Sequence, residues 1–376
     1  MIIAYGRATF TNLSRYSGIC ERTYRRQYQR SFNFIKFNGE LIQQAMEPQS
    51  PKILAVDCSF IPKSGKQTYG LDYFYNGSAA KAEKGLEISA MAVVDVSNNI
   101  GYTLSVQQTA QTNAESEKTE QTEITRINYY LEQLAATSPY LPSSLRYEVT
   151  DWFYSKFKWI KGVTDLELEA IGKLRRDADL RFPYQGEYSG RGRPRKYAGK
   201  VDLTDYSNFE LVTQLTDDLE LYTSVVWSMS LKRQIRLVYL LKKINSNSIS
   251  YVLLFSTDLE LDAYSIYLYY KARFQIEFLF RDSKQFTGLA DCQARDLTKL
   301  DFHFNSSLAA LNLAKWDAVQ HHHSEQDFVF SMASYKRRAL NHHLLELFIR
   351  QLDLEPTLIK SHPNYYKLYE YGTIVA

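Results

Sequence analysis

The residues most able to do chemistry recur at helical spacing in the stretch YKARFQIEFLFRDSK, which runs from Tyr270 to Lys284. At about 100° of rotation per helical residue, four of its side chains fall within roughly 60° of one another. These four are Tyr270, Arg273, Glu277 and Lys284. Most residues between them are apolar, which predicts a helix packed inside a domain. A buried carboxylate between two cations needs a metal ion, a phosphate or an ion pair to offset its charge, although the same spacing also suits a ladder of ion pairs on a solvated helix face.

Two aspartates could complete an acidic site with Glu277. The apolar run ILAVDCSF predicts a buried strand that ends on Asp57, and residues 145–150 predict another strand that ends at Asp151. Because ligands of open sheets gather beyond strand ends, a compact sheet could bring both aspartates together. An aspartate at a strand end is more often a turn residue or a helix cap. Four other acids compete for the same role: Asp72, Asp95, Glu148 and Asp165.

Three such carboxylates suit metal-dependent phosphoryl transfer. This chemistry uses two divalent ions about 3.5–4 Å apart, one to activate the attacking oxygen and one to stabilise the leaving oxygen. Magnesium prefers oxygen ligands and keeps several waters. Three acids suffice when one of them bridges both ions. The residue types are therefore compatible with a Mg²⁺ site, with Mn²⁺ as a substitute.

The elements that must position these acids follow a recognisable order. From about Lys52 the pattern predicts three antiparallel strands, a helix, a strand and a second helix, which is the order of a ribonuclease-H-like α/β domain. The 125 residues between Asp151 and Glu277 exceed what one strand and one helix require, and most of the excess is β-type. The predicted regions are a helical DNA-binding region (1–50), the catalytic domain in two parts (51–180 and 263–325), a β-rich insertion (181–262) and a helical C-terminus (326–376).

Basic residues concentrate in two places on a chain of net charge +3. Residues 172–200 carry nine Lys or Arg against three Asp or Glu, and residues 1–50 carry seven against three. Such concentration suits a polyanion that touches defined surfaces. Within the first region, GRGRPRK places Arg191, Arg193 and Arg195 around an Arg-Gly-Arg-Pro core similar to a hook for the minor groove of A·T-rich DNA. A solvated basic loop is an equal alternative.

The second basic region predicts a helix-turn-helix. Gly18 marks a turn, and the helix after it presents Arg22, Arg25 and Arg26. Any short pair of amphipathic helices has a similar pattern, so this signal has low specificity.

Composition predicts a cytoplasmic protein of more than one domain. The chain has 376 residues with 45% apolar content, and no apolar run approaches the roughly 20 residues that cross a bilayer. Its N-terminus lacks the pattern of a secretory signal. Three cysteines far apart argue against a disulfide framework or a structural zinc site and predict reduced, packed thiols.

The spacing of Tyr270, Arg273, Glu277 and Lys284 resembles the Tyr-Arg-Glu-Lys signature of the DDE transposases of bacterial insertion sequences, in the insertion-sequence-four group. Three local segments extend the resemblance over roughly residues 13–315: AEKGLEIS, KLRRDADLRFP and GRGRPRKY.

The resemblance implies an α/β catalytic domain with a β-rich insertion and a role for each site residue. Asp57 would bridge two Mg²⁺ ions, while Asp151 and Glu277 would complete one metal site each. Tyr270, Arg273 and Lys284 would contact DNA phosphates near the cleaved end.

The implied enzyme cleaves the ends of its element and joins the 3′-hydroxyl to target DNA. The implied partners are double-stranded DNA, with the terminal inverted repeats and target DNA, and a second copy of the chain on paired ends. A nucleoid-associated bacterial protein is expected. A nuclease without strand transfer, or a DNA-binding protein that has lost catalysis, stays open.

Overall fold

A computed structural model describes residues 1–109, 126–187, 190, 194–245, 248–321 and 329–374. In this part of the chain twelve strands form one mixed sheet. The strands are β1 (Lys52–Pro62), β2 (Asp72–Asn76), β3 (Lys81–Asp95), β4 (Ile100–Gln108), β5 (Tyr147–Val149), β6 (Glu169–Leu174), β7 (Leu180–Pro183), β8 (Tyr197–Lys200), β9 (Glu210–Thr216), β10 (Leu219–Ser228), β11 (Arg233–Asn245) and β12 (Ser248–Ser256).

Helices precede, interrupt and follow these strands. The α-helices are α1 (Phe10–Arg15), α2 (Glu21–Gln27), α3 (Phe34–Ala45), α4 (Arg126–Thr137), α5 (Phe157–Asp165), α6 (Ala263–Ala272), α7 (Gln275–Asp282), α8 (Leu297–Gln320), α9 (Met332–Gln351), α10 (Pro356–Lys360) and α11 (Pro363–Tyr369). Short 3-10 turns occupy Ser138–Tyr140 and Trp152–Tyr154, and a π-helical turn occupies Ser283–Thr287.

The sheet runs in the order β2-β3-β1-β5-β6-β12-β11-β10-β7-β8, with β4 also paired to β3 and β9 to β10. The pairs β1–β3 and β3–β4 are antiparallel, whereas β5 lies parallel to both β1 and β6. A mixed α/β architecture with a large sheet is therefore confirmed.

Strand β1 corrects the prediction that a strand ends on Asp57. Asp57 is the sixth residue of an eleven-residue strand, because β1 continues beside β3 until Pro62 pairs with Gly85. The parallel strand β5 stops earlier, with Val149 opposite Ala55. Asp57 consequently stands beyond the carboxyl end of β5 while remaining inside its own strand.

Alternate residues of β1 supply two separate cores. Leu54 and Val56 face a cluster that includes residues of α3, α4 and α5, whereas Ile53 and Ala55 face residues of α6, α7 and α8. Strand alternation puts successive side chains on opposite faces. Asp57 therefore shares the face of Ala55 and meets α6 and α7.

The strands predicted as an insertion continue the sheet. Strand β12 pairs antiparallel with β6, from Leu253 opposite Leu174 to Ser256 opposite Ile171. Strands β11 and β10 follow in the same ladder. The β-rich region and the strands that carry the acids thus share backbone hydrogen bonds.

The outer edge of β4 is covered by buried side chains. The Asn312 side-chain oxygen accepts from the Thr103 backbone N–H at 2.9 Å, and its Nδ2 donates to the Thr103 carbonyl at 2.7 Å. Asn312 Nδ2 also donates to Asn38 Oδ1 at 3.1 Å, while Asn38 Nδ2 donates to the Leu104 carbonyl at 3.2 Å. These bonds attach α8 and α3 to β4 and supply part of what a neighbouring strand would supply.

Two features bear on the expectations from composition. All three cysteines are free, but Cys20 is exposed rather than packed. Within the described ranges, no helix is both long and apolar enough to cross a membrane.

We expect Asn312→Leu to lower the free energy of unfolding by about 2–6 kcal/mol, because it leaves two buried backbone groups without partners at roughly 1–3 kcal/mol each. Urea unfolding followed by fluorescence measures the change. Asn38→Leu is the matched control and should cost less, since it removes the partner of only one backbone carbonyl. Equal stability of Asn312→Leu and the wild type would show that Asn312 does not hold this edge.

Candidate active site

One guanidinium joins two of the three predicted acids. Arg273 Nη1 lies 3.4 Å from Asp57 Oδ2, and Arg273 Nη2 lies 3.1 Å from Glu277 Oε1. The Arg273 side chain is only 11% exposed, against 25% for Asp57 and 41% for Glu277. Residues 216 positions apart therefore converge on one cation at the edge of the protein interior.

The helix that carries Arg273 and Glu277 is broken, which corrects the prediction of one continuous helix from Tyr270 to Lys284. Helix α6 ends at Ala272 and α7 begins at Gln275. The intervening turn uses bonds to the third preceding residue, such as the Glu277 N–H to the Phe274 carbonyl at 3.0 Å. Both turn residues keep right-handed helical dihedrals, so no glycine or proline marks the break in the sequence.

Asp57 is held and polarised by its neighbours. Its Oδ1 accepts from the Cys58 backbone N–H at 2.8 Å. Desolvation raises the pKa of the Asp57 carboxyl to about 6, Arg273 opposes the rise, and the charges of Asp151 and Glu277 add to it. Burial is the largest cause of the rise. Separately, the three acids carry more formal negative charge than the single Arg273 compensates.

Asp151 lies within electrostatic reach of this cluster and also caps a turn. Its Oδ1 accepts from the Phe153 backbone N–H at 2.9 Å at the start of the Trp152–Tyr154 turn. Its charge acts on Asp57, Tyr270 and Arg273. Asp151 therefore caps a turn, as expected of an isolated aspartate, and also lies near enough to act on the other site residues.

A contact next to the acids escaped the sequence interpretation. Cys58 directly follows Asp57, and its Sγ lies 3.2 Å from the hydroxyl of Tyr154, three residues after Asp151. Tyr154 is buried against Trp159 and Tyr130. The contact links the two segments that carry the aspartates. Strand alternation would place Cys58 behind Asp57, but no sequence signal identified Tyr154 as its partner.

Tyr270 lies at the cluster and Lys284 does not. The Arg273 guanidinium carbon sits 5.6 Å from the centre of the half-buried Tyr270 ring. Desolvation raises the pKa of Tyr270, and Asp151 and Glu277 add to the rise against Arg273. Lys284 lies in the π-helical turn, where burial lowers its pKa, and within the described residues it has no ion pair.

The competing acids lie elsewhere. Glu148 faces the opposite core, and burial raises its pKa to about 8. Asp95 lies opposite Lys52 in the β1–β3 ladder, at the far end of β1. Its side chain accepts a hydrogen bond from the Ser50 hydroxyl. Asp165 is exposed and forms an ion pair with Lys161, while Asp72 accepts from the backbone N–H of Tyr73.

The arginines predicted to bind DNA have different surroundings. Arg191 and Arg193 lie outside the described residues. Arg195 is exposed, but it donates to the Tyr197 carbonyl at 2.8 Å and the Ala198 carbonyl at 2.9 Å. On α2 all three arginines are exposed; Arg25 is paired with Glu21, whereas Arg22 and Arg26 have no ion pair among the described residues.

The carboxylates fit a divalent cation by their chemistry. Oxygen donors with uncompensated negative charge are what Mg²⁺ or Mn²⁺ prefers. In the described ranges, no group of three or more His, Cys, Asp or Glu side chains already forms a ligand cluster. Arg273 occupies the space between Asp57 and Glu277.

Comparison with known proteins bears on about the first three fifths of the chain. The model of a family described as DDE superfamily endonuclease matches residues 5–234. This range includes Asp57 and Asp151 and ends before Glu277. A comparison with curated proteins found no match.

We expect Arg273→Gln to destabilise the metal-free protein by more at pH 7.5 than at pH 4.5. The pKa of Asp57 is raised on folding, so its carboxyl costs stability as pH rises through about 6, and loss of Arg273 increases that cost. The difference between the two pH values should be about 1–3 kcal/mol by urea unfolding in chelator. In an Asp57→Asn background the same substitution should show little pH dependence. If the destabilisation by Arg273→Gln depended on pH equally in both backgrounds, the Arg273–Asp57 contact would not be its cause.

Proposed function

The chain belongs to the DDE superfamily endonuclease family, and from that premise we propose that it is a DNA transposase of a bacterial insertion sequence. It cleaves the ends of its element and joins the 3′-hydroxyl to target DNA. Family membership implies a nuclease-type enzyme. The finer assignment, to the group with the Tyr-Arg-Glu-Lys signature, is supported by the placement of Tyr270, Arg273 and Glu277 beside the aspartates.

The observation that carries the proposal is the convergence of Asp57 and Glu277 on Arg273, with Asp151 close enough to raise the pKa of Asp57. A purely structural ion pair needs one acid for one base. Here two acids contact one guanidinium, and the charge of a third, Asp151, also acts on it. Excess carboxylate in a half-buried place is costly unless the site binds a further cation.

We assign Asp57, Asp151 and Glu277 as the residues that would hold Mg²⁺, or Mn²⁺ in its place. Two bound divalent ions would activate the attacking oxygen and stabilise the leaving oxygen of the phosphodiester. Asp57 would be a ligand of this metal centre, in the role that the resemblance gives to the first acid. The Cys58–Tyr154 contact keeps its segment beside that of Asp151.

Arg273 and Tyr270 are proposed to orient the DNA backbone. The planar Arg273 guanidinium carries five N–H donors and can exchange a carboxylate partner for phosphate oxygens. Tyr270 presents a hydroxyl next to it. Lys284, which is half-buried and has no ion pair in the described ranges, is proposed to contact phosphate further from the acids.

The predicted regions remain part of the proposal. The catalytic domain is ribonuclease-H-like over 51–180 and 263–325, with 181–262 as its insertion and 326–376 as a helical C-terminus. Within 1–50, helix α3 is bonded to β4 and α8, so α1 and α2 are the part available to DNA. We propose a homodimer on paired element ends.

A nuclease without strand transfer is the second candidate. The matching family is described as an endonuclease. Hydrolysis and strand transfer use the same carboxylates, so only the products distinguish them.

We expect Asp57→Asn to lower Mg²⁺-dependent cleavage of a labelled duplex carrying the flanking terminal repeats by about 10³-fold or more, because it removes a charged metal ligand of equal size. DNA affinity measured in chelator should change little. Asp165→Asn, which removes an exposed acid paired with Lys161, is the control and should retain cleavage. Cleavage by Asp57→Asn at the wild-type rate would refute the assignment. Wild-type cuts without joined products would favour the nuclease.

For the N-terminal helices, we expect Arg22→Ala combined with Arg26→Ala to weaken duplex binding. The slope of log Kd against log salt should fall by nearly two, at about 0.9 for each lost phosphate contact. Arg25→Ala should change the slope less, because Arg25 is already paired with Glu21. Fluorescence anisotropy over a salt series measures all three. An unchanged slope in the double variant would exclude α2 from the DNA interface.

A further inference from the structure

The hairpin of β2 and β3 extends the sheet on the same face as the candidate active site. Ala90 of β3 pairs with Asp57, and Lys84 lies six residues earlier on the same strand. An even separation puts both side chains on one face. Tyr73 of β2 pairs with Lys84, and Tyr75 lies two residues further along β2. All three therefore project from the face that carries Asp57.

This face of the hairpin is aromatic, basic and open. Tyr73 and Tyr75 are each 64% exposed. Lys84 is exposed and has no ion pair within the described residues. The opposite face is different. Phe74 is buried beneath the Arg126 guanidinium, and Lys81 is paired with Glu83.

Two adjacent exposed tyrosines with an unpaired lysine suit a phosphate backbone. A tyrosine hydroxyl donates to phosphate oxygens, and an ammonium adds charge attraction that depends on salt. The free edge of a sheet is a liability for a protein unless something covers it. The charge of Lys84 favours a polyanion over an apolar protein surface.

The distance from Asp57 sets where such a contact would fall. Six residues of strand at about 3.3 Å each span roughly 20 Å. Duplex DNA advances about 3.4 Å for each base pair, so a duplex that runs along β3 covers this span in about six base pairs.

We propose that Tyr73, Tyr75 and Lys84, named here the hairpin surface, bind the backbone of duplex DNA about six base pairs from the bond that is cleaved. The inference rests on the proposed function, because it takes Asp57 as the point of cleavage. It adds a contact surface to the arginines of α2 and to the loop that contains Arg195.

The test compares Lys84→Ala and Tyr73→Ala with Lys81→Ala, which removes the same charge from the other face of the same hairpin. Each protein is titrated in chelator with a duplex that extends ten base pairs to each side of the expected cut, which is the boundary between a terminal repeat and its flanking DNA. Lys84→Ala should raise Kd about three- to tenfold and lower the salt slope by about one. Tyr73→Ala should raise Kd with little change of slope, and Lys81→Ala should match the wild type.

Two further duplexes, each shortened to three base pairs on one side of the cut, locate the contact. The difference between wild type and Lys84→Ala should vanish on one of them, and which one tells whether the surface holds the element end or the flanking DNA. A difference that persists on both, or unchanged Kd on the long duplex, would overturn the inference. Impaired self-association with unchanged DNA affinity would assign the surface to protein contact and also overturn it.

Wild-type protein that binds the long duplex but cuts none in Mg²⁺ would count against the proposed function. The hairpin variants would then still report on binding. Wild-type cleavage together with hairpin variants that bind normally would count against this inference alone.

Discussion

Electrostatic repulsion among three carboxylates is the constraint around which the candidate site is arranged. Arg273 contacts Asp57 and Glu277, and the charge of Asp151 acts on both Asp57 and Arg273. A single positive charge cannot neutralise three acids, and burial makes the remainder more costly. The raised pKa of Asp57 comes first from burial, and the charges of Asp151 and Glu277 add to it against Arg273. The protein folds with these three acids and one arginine in place, and their excess of negative charge favours a further cation.

The sheet makes this convergence possible by ending β5 before β1. Asp57 has no β5 residue beside it because β5 stops opposite Ala55, yet its backbone stays fixed by the ladder to β3. On the reverse face, Cys58 meets Tyr154 and ties the Asp151 segment to the same strand. The two aspartates thus sit on backbone that is restrained by the β1–β3 ladder and by the Cys58–Tyr154 contact.

The sequence predicted the type of fold and the residues that meet, but it did not predict how they meet. Apolar runs and turn residues identified the strands around Asp57 because those signals are local. Helical spacing placed Arg273 and Glu277 together correctly, since four residues make about one turn whether or not the helix bends. Lys284, which the same spacing placed on that helix face, lies beyond a break and a π-helical turn that depend on packing against the rest of the fold. The covering of β4 by Asn312 was equally unpredictable, because its backbone partner Thr103 lies 209 residues away.

The unbroken ladder from β6 to β12 has a mechanical consequence. Four residue pairs join these strands, from Leu253 with Leu174 to Ser256 with Ile171. A rigid-body movement of the β-rich region relative to the acids would have to break the backbone hydrogen bonds between β6 and β12 and expose buried amide groups. The distance between the β-rich region and the acids is therefore fixed by the continuous sheet. A double helix that touched both would have to supply the compliance itself, by bending at its softer base steps.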